Sequence, residues 1–270
     1  MTDSPCVMRE IARLRELTFR LVGEGTGLPR DMDRYDRTYL QLVLWDDIEH
    51  EIVGAYRLGH AADLIRDSGP EGLYTHSLFS FGPGMQRFLD EGLELGRSFV
   101  QPKYQNKYAL DYLWSGLGAY LRHHPEIRYL FGPASMSRLY GHEGIARLAN
   151  FFGTHHNSLD LDISARNPFT IEAEASIRFA AEFTGLDYDQ DYETLRDALA
   201  ERGLTVPILF KHYANVAERD GVAFTAFNVD PDFGDCVDAF VLVDLKRLKP
   251  RKRKRYLNRE TLDGGDSAER

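Results

Sequence analysis

The order of elements in the middle of the chain constrains the fold more than any other feature of the sequence. Residues 93–100 form a strand pattern that breaks at Pro102, residues 111–123 have the apolar period of a helix, and residues 128–134 form a short apolar run typical of a buried strand. A connection that contains a helix is long enough to join parallel strands, which a tight turn cannot do. The sequence therefore predicts one parallel pair near the centre of a sheet.

The remaining segments predict hairpins and helices around that pair. Strand patterns occur in two hairpins, at residues 39–45 with 51–58 and at 222–228 with 236–244. Helical periods occur at residues 7–21, 84–92, 140–152, 171–183, 187–200 and 207–218. We expect the α/β class: a mixed, mostly antiparallel central sheet, helices on both faces, and a helical elaboration at about 140–220. One domain over 1–256 and a disordered tail over 257–270 complete the expectation.

Composition places the chain in the ordinary soluble class. Hydrophobic residues make up 43% and charged residues 28% of the 270 positions. No apolar run approaches the roughly 18 residues that a membrane span needs. The N-terminus lacks the basic and then apolar pattern of a signal peptide, so a cytoplasmic location is expected. Two distant cysteines, Cys6 and Cys236, form neither a disulfide framework nor a metal cluster.

A dense basic block interrupts an otherwise acidic chain. Eight Lys and Arg residues fall within positions 246–256, and without them the remainder of the chain would carry −17 rather than the net −9. Such a block suits an acidic protein, anionic lipid headgroups or nucleic acid. A solubilising tail is the alternative that the charge pattern leaves open.

Six charged residues in the first hundred positions are candidates for chemistry. Glu94 and Arg97 lie on the strand of the parallel pair, and the other four are Arg15, Asp33, Asp36 and Arg57. A carboxylate on a central strand can accept a proton from an attacking amine, directly or through water. Arginines bind a carboxylate with two parallel hydrogen bonds, and aspartates can bind an ammonium group. A buried ion-pair network that fixes the sheet is the competing interpretation.

The same residues carry a resemblance to a known family. The ordered motifs are Leu14-Arg-Glu-Leu-Thr-Phe19, Asp33-Arg-Tyr-Asp36, Val53-Gly-Ala-Tyr-Arg-Leu58 and Glu94-Leu-Gly-Arg-Ser98. Their order resembles the GNAT-fold N-acyltransferases of the hemolysin-like group, which make ornithine and glycine lipids, and more distantly the acyl-homoserine-lactone synthases. The resemblance covers about residues 7–256 and implies a GNAT-type sheet. A Trp of the lactone synthases is absent from residues 25–28, which disfavours that activity.

The resemblance implies a role for each candidate. Glu94 and Arg97 would be catalytic, and Arg15, Asp33, Asp36 and Arg57 would bind the amine substrate. The acyl donor would meet the strand end and the loop after it, at Phe99, Val100, Gln101, Lys103, Gln105, Asn106, Lys107 and Tyr108. Backbone N–H groups at residues 99–101 would stabilise the oxyanion. No permanently bound cofactor and no nucleic-acid partner are expected. No metal site is expected either, because the His pairs 123–124 and 155–156 are helix neighbours that do not share a face.

The loop after the strand bears on the donor. Members that use coenzyme A carry Arg-Gly-x-Gly where this chain has Gln105-Asn-Lys-Tyr108, and the glycines let backbone amides approach a pyrophosphate. Acyl carrier protein is therefore the expected donor, with a single phosphate that Lys103 or Lys107 would bind.

The expected reaction transfers a fatty or 3-hydroxy fatty acyl group to a small amine, an amino acid above all, in aminolipid synthesis. Peripheral association with the inner face of the membrane, through residues 246–255, is a further expectation. An acetyl-CoA-dependent acetyltransferase and a non-catalytic lipid- or carrier-binding module are the alternatives.

Overall fold

A computed structural model of the protein describes residues 4–105 and 108–258. The helices are α1 (Pro5–Leu21), α2 (Ala61–Ser68), α3 (Thr75–Leu78), α4 (Gln86–Asp90), α5 (Ala109–His123), α6 (Gly141–His155), α7 (Ala173–Glu182), α8 (Tyr188–Ala200), α9 (Ile208–Val216) and α10 (Pro250–Tyr256). The strands are β1 (Leu40–Asp46), β2 (Glu51–His60), β3 (Phe79–Phe81), β4 (Gly92–Val100), β5 (Tyr129–Met136), β6 (Ile163–Ala165), β7 (Val222–Asp230) and β8 (Cys236–Asp244). None of these helices has both the length and the apolar character needed to cross a bilayer.

A six-stranded sheet organises the molecule. Its order is β1-β2-β4-β5-β8-β7, and β4 and β5 are its parallel pair while the other neighbours are antiparallel. The predicted parallel pair, both predicted hairpins and the mostly antiparallel α/β class are therefore confirmed. A second sheet of β3 and β6 was not predicted, because strands of three residues are too short to show an alternating pattern.

The two faces of the sheet bury different kinds of side chain. Tyr56, Leu58, Leu93 and Leu95 pack in the larger core, which also contains apolar residues of α5, α6, α8 and α9. Alternate residues of the same strands point the other way, towards α1 and the segments before β4. Two of those alternate residues, Arg57 and Glu94, are charged and almost completely buried. One face is therefore an ordinary apolar core, and the other encloses charge.

The basic block forms a helix and not a tail. Residues 250–256 make α10, and Tyr256 at its end is buried against α5. Arg253 donates to the Leu245 carbonyl at 2.6 Å, and Arg255 pairs with Asp111 in the first turn of α5. The interpretation of the block as a solubilising tail is therefore wrong for these residues. The sequence did not predict this helix, because a run of like charges has no apolar period. Of the tail expected over 257–270, residues 259–270 lie outside the described part of the chain.

Gly118 allows α10 to approach α5 closely. It lies in the middle of α5, and a Cβ there would overlap the backbone carbonyl of Tyr256. Gly116, one half-turn away in the same helix, has the flexible end of Leu42 as its nearest neighbour, at 3.3 Å from an added Cβ. The two glycines therefore differ in what a methyl group would meet.

We predict opposite effects for alanine at these two positions. Gly116→Ala should leave the free energy of unfolding unchanged or raise it by up to about 1 kcal/mol, the helix propensity gain of alanine over glycine. Gly118→Ala should lower it by about 1–3 kcal/mol, because backbone that cannot move aside is overpacked. Chemical denaturation of both variants measures the difference. Equal stability of the two would contradict the close packing of α10 on α5.

Candidate active site

β4 and β5 separate after three residues of pairing. The parallel ladder joins Gly92, Leu93 and Glu94 to residues 129–131 and then stops. Beyond that point β4 continues beside β2 as far as Val100, and β5 continues beside β8. Gly132 lies at the fork, where a Cβ would overlap the Leu95 carbonyl. The two central strands thus form a V whose inner edges carry backbone groups without a partner strand.

A bulge in β4 distorts the strand inside the V. The register with β2 passes from Gly96 opposite Arg57 to Phe99 opposite Ala55, so that two β4 residues face one residue of β2. Arg97, in the bulge, has a φ of 49°, in the left-handed region that a long side chain rarely adopts. Bulges and left-handed residues of this kind are concentrated at functional sites, where they redirect a side chain.

The V contains a cavity of about 520 Å³. Ser98, Phe99 and Val100 line it from β4, and Ser135 lines it from β5. Its lining also includes Leu110 in the first turn of α5, the last turn of α1 and the start of α9. The N-terminus of α5 therefore opens onto the cavity, and free N–H groups at such a terminus favour an anionic ligand.

A second cavity, of about 530 Å³, is lined by polar and charged groups. Asp31, Asp33, Asp230 and Asp232 contribute carboxylates, and its arginines include Arg34, Arg97 and Arg166. A small cavity of about 40 Å³ shares Ser98 and Ser135 with the first cavity, and Arg97 and Phe233 with the second. The Arg97 bulge thus lies between a largely apolar cavity and a charged one.

The four residues expected to bind the amine are largely paired with one another. Arg15 donates to Asp36 at 2.7 Å, and Arg57 donates to both oxygens of Asp33 at 2.7 and 2.8 Å and approaches Asp36 at 3.4 Å. Arg15, Asp36 and Arg57 are at most 3% exposed, whereas Asp33 is 24% exposed and lines the charged cavity. This pairing is the buried network that the sequence left open as an alternative, and Asp33 alone of the four faces the charged cavity.

Glu94 lies beneath the charged cavity. It is 1% exposed; one carboxylate oxygen accepts from the Tyr39 hydroxyl and the other accepts from the Thr75 N–H at 2.6 Å. Burial raises its pKa, although these hydrogen bonds favour the carboxylate. Glu94 does not line the three cavities described above. It is linked to the charged cavity through Tyr74, whose N–H donates to the same Tyr39 hydroxyl at 3.0 Å. Its predicted role as a proton acceptor stays a prediction.

Arg97 lines both the small cavity and the charged cavity, and its catalytic role stays a prediction. Its guanidinium donates to the Tyr74 hydroxyl at 3.0 Å, lies 2.9 Å from Asp31, and stacks 4.4 Å from the Phe233 ring centroid. Asp31 is 1% exposed and was not singled out from the sequence, because it lies in a loop without a recognisable motif. Burial raises the pKa of Asp31 although Arg97 favours its charged form.

The residues expected to bind the donor divide into two groups. Phe99, Val100 and Gln105 line the cavity in the V. Lys103 forms an ion pair with Glu51 on the hairpin, and Tyr108 is exposed and away from the cavity lining. Asn106 and Lys107 lie outside the described residues. Lys103 is thus paired with Glu51, and its expected contact with the donor phosphate stays a prediction.

The direction of the peptide groups in β4 decides which N–H groups face the V. The Gln101 N–H donates to the Val53 carbonyl at 2.8 Å and is thus engaged with β2, not free for an oxyanion. Because successive peptide groups of a strand point to opposite edges, the N–H of Val100 points into the V. The expectation that Gln101 offers its N–H to the oxyanion is wrong, and Val100 has the required direction.

The sequence also missed Glu24. It lies in the glycine-rich segment after α1, between Gly23 and Gly25, whose φ values are 79° and 102°. The structure buries its side chain in the V cavity, where the Ser135 hydroxyl donates to it at 2.9 Å. A single carboxylate within a run of glycines was the available signal.

Three potential metal ligands come together elsewhere. Ligand atoms of His60, His124 and Glu126 lie within 4.8 Å of one another at the ends of β2 and α5. His60 is also 2.5 Å from the Tyr120 hydroxyl, and His124 is 2.9 Å from Glu126. None of the three lines the V cavity or the charged cavity.

Comparison with known proteins finds a matching domain and several similar chains. A GNAT acetyltransferase domain matches residues 14–115. A glycine N(alpha)-acyltransferase of Bacteroides thetaiotaomicron is 32% identical over 94% of this chain and 78% of its own length. An L-ornithine N(alpha)-acyltransferase of Rhodobacter capsulatus is 27% identical over 93% of this chain and 91% of its own length. A solved CoA-dependent acyl-homoserine lactone synthase aligns over 87% of this chain and 76% of that chain, with 13% identity and a TM-score of 0.37.

These findings define first a class and then a family. A mixed sheet that opens at its parallel pair, together with the domain match, makes this protein a GNAT-type acyltransferase. The chain belongs to the family of GNAT-fold N-acyltransferases that includes the glycine N(alpha)-acyltransferases. The resemblance stated from the sequence is thereby confirmed.

We predict that the buried network is required for stability. Asp36→Asn leaves the Arg15 and Arg57 guanidiniums without their shared carboxylate, and loss of one partner of a buried pair costs about 3–5 kcal/mol. Asp63→Asn, in an exposed pair on α2, is the control and should have no measurable effect on unfolding. A D36N variant as stable as D63N would contradict a structural role.

The same variant has a predictable pH dependence. Burial would raise the Asp36 pKa, but Arg15 and Arg57 outweigh it and hold the pKa below its usual 3.8. A lowered pKa contributes stability above the unfolded value and loses it as the pH falls further. The stability difference between wild type and D36N should therefore narrow below about pH 3.8 in acid denaturation. A constant difference across that range would contradict the assignment.

Proposed function

We propose that the protein transfers a fatty or 3-hydroxy fatty acyl group from the phosphopantetheine of acyl carrier protein to the amino group of an amino acid. The product, an N-acyl amino acid, would be the first intermediate of an aminolipid. The observation that carries the proposal is a pair of cavities that the small cavity at Arg97 connects, one largely apolar and between splayed strands, the other rich in carboxylates and arginines. We propose that residues 1–256 act as one acyltransferase domain.

The apolar cavity supports the donor side. An extended pantetheine arm can pair with the free edge of β4, whose Val100 N–H points into the V, and Phe99 and Gln105 line the same path. The Val100 N–H is then available to the oxyanion that forms at the thioester carbonyl. The phosphate would lie at the N-terminus of α5, where Leu110 borders the cavity.

The position of α10 supports a protein-borne donor. Arg255 and Tyr256 contact Asp111, one residue after Leu110 of the cavity lining, so the basic helix lies beside the proposed entrance. Arg251 and Lys254 are exposed on it, and neither forms an ion pair with another described residue. An acidic carrier protein would be attracted to these charges, and an anionic bilayer that holds the product is the other surface that they would suit.

The charged cavity supports an amino acid as the acceptor. The ammonium group would be held by carboxylates such as Asp33 and Asp230, and the carboxylate of the substrate would pair with Arg97 or Arg166. The relatives named above act on glycine and on ornithine, both of which have these two groups. We propose that Arg15, Asp36 and Arg57 hold Asp33 in place, and that Glu94 positions Tyr74 at the cavity wall or accepts the proton of the amine.

Mass spectrometry of lipid extracts from cells that express the protein tests the proposal. We expect an N-acyl amino acid that is absent from cells expressing Arg97→Lys, since lysine cannot reproduce the contacts of the guanidinium. N-acetyl products alone would instead indicate the acetyl-CoA-dependent alternative. No acyl product in extracts or in purified assays would indicate a non-catalytic binding module.

We predict that carrier protein exceeds coenzyme A as the donor. With matched acyl chains, purified enzyme should use acyl carrier protein with a kcat/KM at least about tenfold higher, or ~1.4 kcal/mol. The loop at residues 105–108 lacks the glycines with which a pyrophosphate would be cradled. Equal kcat/KM values for the two donors would contradict the prediction.

A charge reversal tests the basic helix itself. Arg251→Glu with Lys254→Glu should raise the KM for acyl carrier protein, with an effect that shrinks as salt screens the charges, and should leave turnover of a short acyl-pantetheine thioester unchanged. These two positions are preferable to Arg253 and Arg255, which make structural contacts. The matched control is Arg66→Glu with Arg196→Glu, which makes the same charge change on α2 and α8. A KM equal to that of the control would contradict docking of the carrier protein on α10. If the variant lost only its binding to anionic vesicles, the membrane would be the surface that α10 binds.

A further inference from the structure

The cavity between β4 and β5 contains a buried carboxylate that the roles above do not use. Glu24 is 9% exposed and lines the cavity that also contains Ser98 and Val100 of β4. Its only side-chain hydrogen bond within the described residues is the one that it accepts from Ser135 on β5, at 2.9 Å. The second carboxylate oxygen is thus available to a substrate in the cavity.

The backbone holds Glu24 in this position. Gly23 and Gly25 on either side of it have positive φ, and a Cβ at Gly23 would come within 2.9 Å of Leu139 and Ser137. Gly234, in the turn before β8, would place a Cβ 3.1 Å from the Gly23 carbonyl. The loop is therefore packed between the end of β5 and the β7–β8 turn, and glycine at these points lets the carboxylate enter the V.

The surroundings of Glu24 allow it to gain and lose a proton near neutral pH. Burial raises its pKa to about 7, while Ser135 and Arg97 favour the charged form. The other titratable groups that face it are Tyr140 on α6's N-terminal side, and Cys236 and Asp238 on β8. Asp238 is itself buried, and burial raises its pKa well above the usual value of a carboxyl group. Glu24, with its pKa of about 7, changes charge in the range where a general base is most effective.

We propose that Glu24 accepts the proton of the attacking amine, and that Ser135 is the residue that positions its carboxylate. The proposal rests on the function proposed above. It places the base on the V cavity itself, opposite the β4 edge where the thioester would lie, whereas Glu94 is enclosed by Tyr39 and Thr75.

The reaction balances with these groups. The bound ammonium group first releases one proton to solvent and becomes a neutral amine. Its nitrogen attacks the thioester carbonyl carbon, the C–N bond forms, and the carbonyl electron pair moves to oxygen beside the Val100 N–H. The Glu24 carboxylate takes the proton that the nitrogen loses. When the oxyanion collapses, the C–S bond breaks and the sulfur leaves with the electron pair as a thiolate. Glu24 then returns the proton to the thiolate, so that amide and thiol are formed with no net change in the enzyme.

The first test is the pH dependence of turnover. In the wild type, kcat should rise with pH through about 7, as the Glu24 carboxylate forms. Glu24→Gln should lower kcat by about two to four decades and remove this rise, the effect expected when a general base is lost. Ser135→Ala should move the rise to higher pH, because the hydroxyl hydrogen bond lowers the Glu24 pKa. Glu10→Gln, in an exposed ion pair on α1, is the control and should keep the rise at its wild-type pH.

The second test does not depend on activity. A carboxyl whose pKa rises on folding from 4.5 to about 7 binds its proton more tightly in the folded protein, so ionisation destabilises the fold as the pH increases through that interval. Glutamine does not ionise. The melting temperature of Glu24→Gln relative to the wild type should therefore increase between pH 5 and pH 8. A difference that is independent of pH would show that Glu24 does not titrate there and would overturn the proposal.

The outcomes separate this inference from the function on which it rests. If the wild type transfers acyl groups and Glu24→Gln keeps both its rate within a few-fold and its pH rise, Glu24 is not the base, although the proposed function stands. If Glu24→Gln does not fold, an unmoved pH rise in Ser135→Ala overturns the proposal in the same way. If the wild type acylates no amine from any thioester, the proposed function and the role of Glu24 both fail.

Discussion

The loss of pairing between β4 and β5 is the constraint on which the rest of the molecule depends. Three ladder positions hold the strands together, and beyond Glu94 each strand follows its outer neighbour. Gly132 marks the fork, because a side chain there would collide with the Leu95 carbonyl. Backbone groups left unpaired inside a protein are costly unless a ligand, water or side chain takes them. The fold therefore contains strand edges without a partner strand at its centre, and the cavity, the α5 N-terminus and the Arg97 bulge surround them.

The charged face of the sheet holds this open centre in shape. Arg57, stacked 5.1–5.6 Å from the rings of Tyr35, Tyr39 and Tyr74, joins the hairpin to the loop after α1 through Asp33. Buried ion pairs contribute little net stability, but removal of one partner is expensive. Such a network specifies one arrangement of the loop and resists others. The position of Asp33 at the cavity wall follows from that arrangement.

Two carboxylates with similar burial differ in what surrounds them. Glu94 has each oxygen occupied, by Tyr39 and by the Thr75 N–H, and is enclosed by protein. Within the described part of the chain, the Glu24 side chain accepts one hydrogen bond, from Ser135, and it borders the cavity. Burial raises the pKa of both. Whether a carboxylate can accept a proton from a substrate therefore depends on whether one of its oxygen atoms lacks a hydrogen bond and borders the cavity, and not on the shift in its pKa alone.

The sequence by itself determined the order of helices and strands, the parallel pair and the family, because those depend on local periodicity and on motifs such as Glu94 to Ser98. It did not determine which charges meet. Glu24 and Ser135 are 111 positions apart, and no local pattern relates them. The like charges of α10 concealed a helix that Tyr256 fixes against Gly118. The tertiary structure decided these features, since partners for a buried charge, and the room left beside it, are set by the packing of segments distant in the chain.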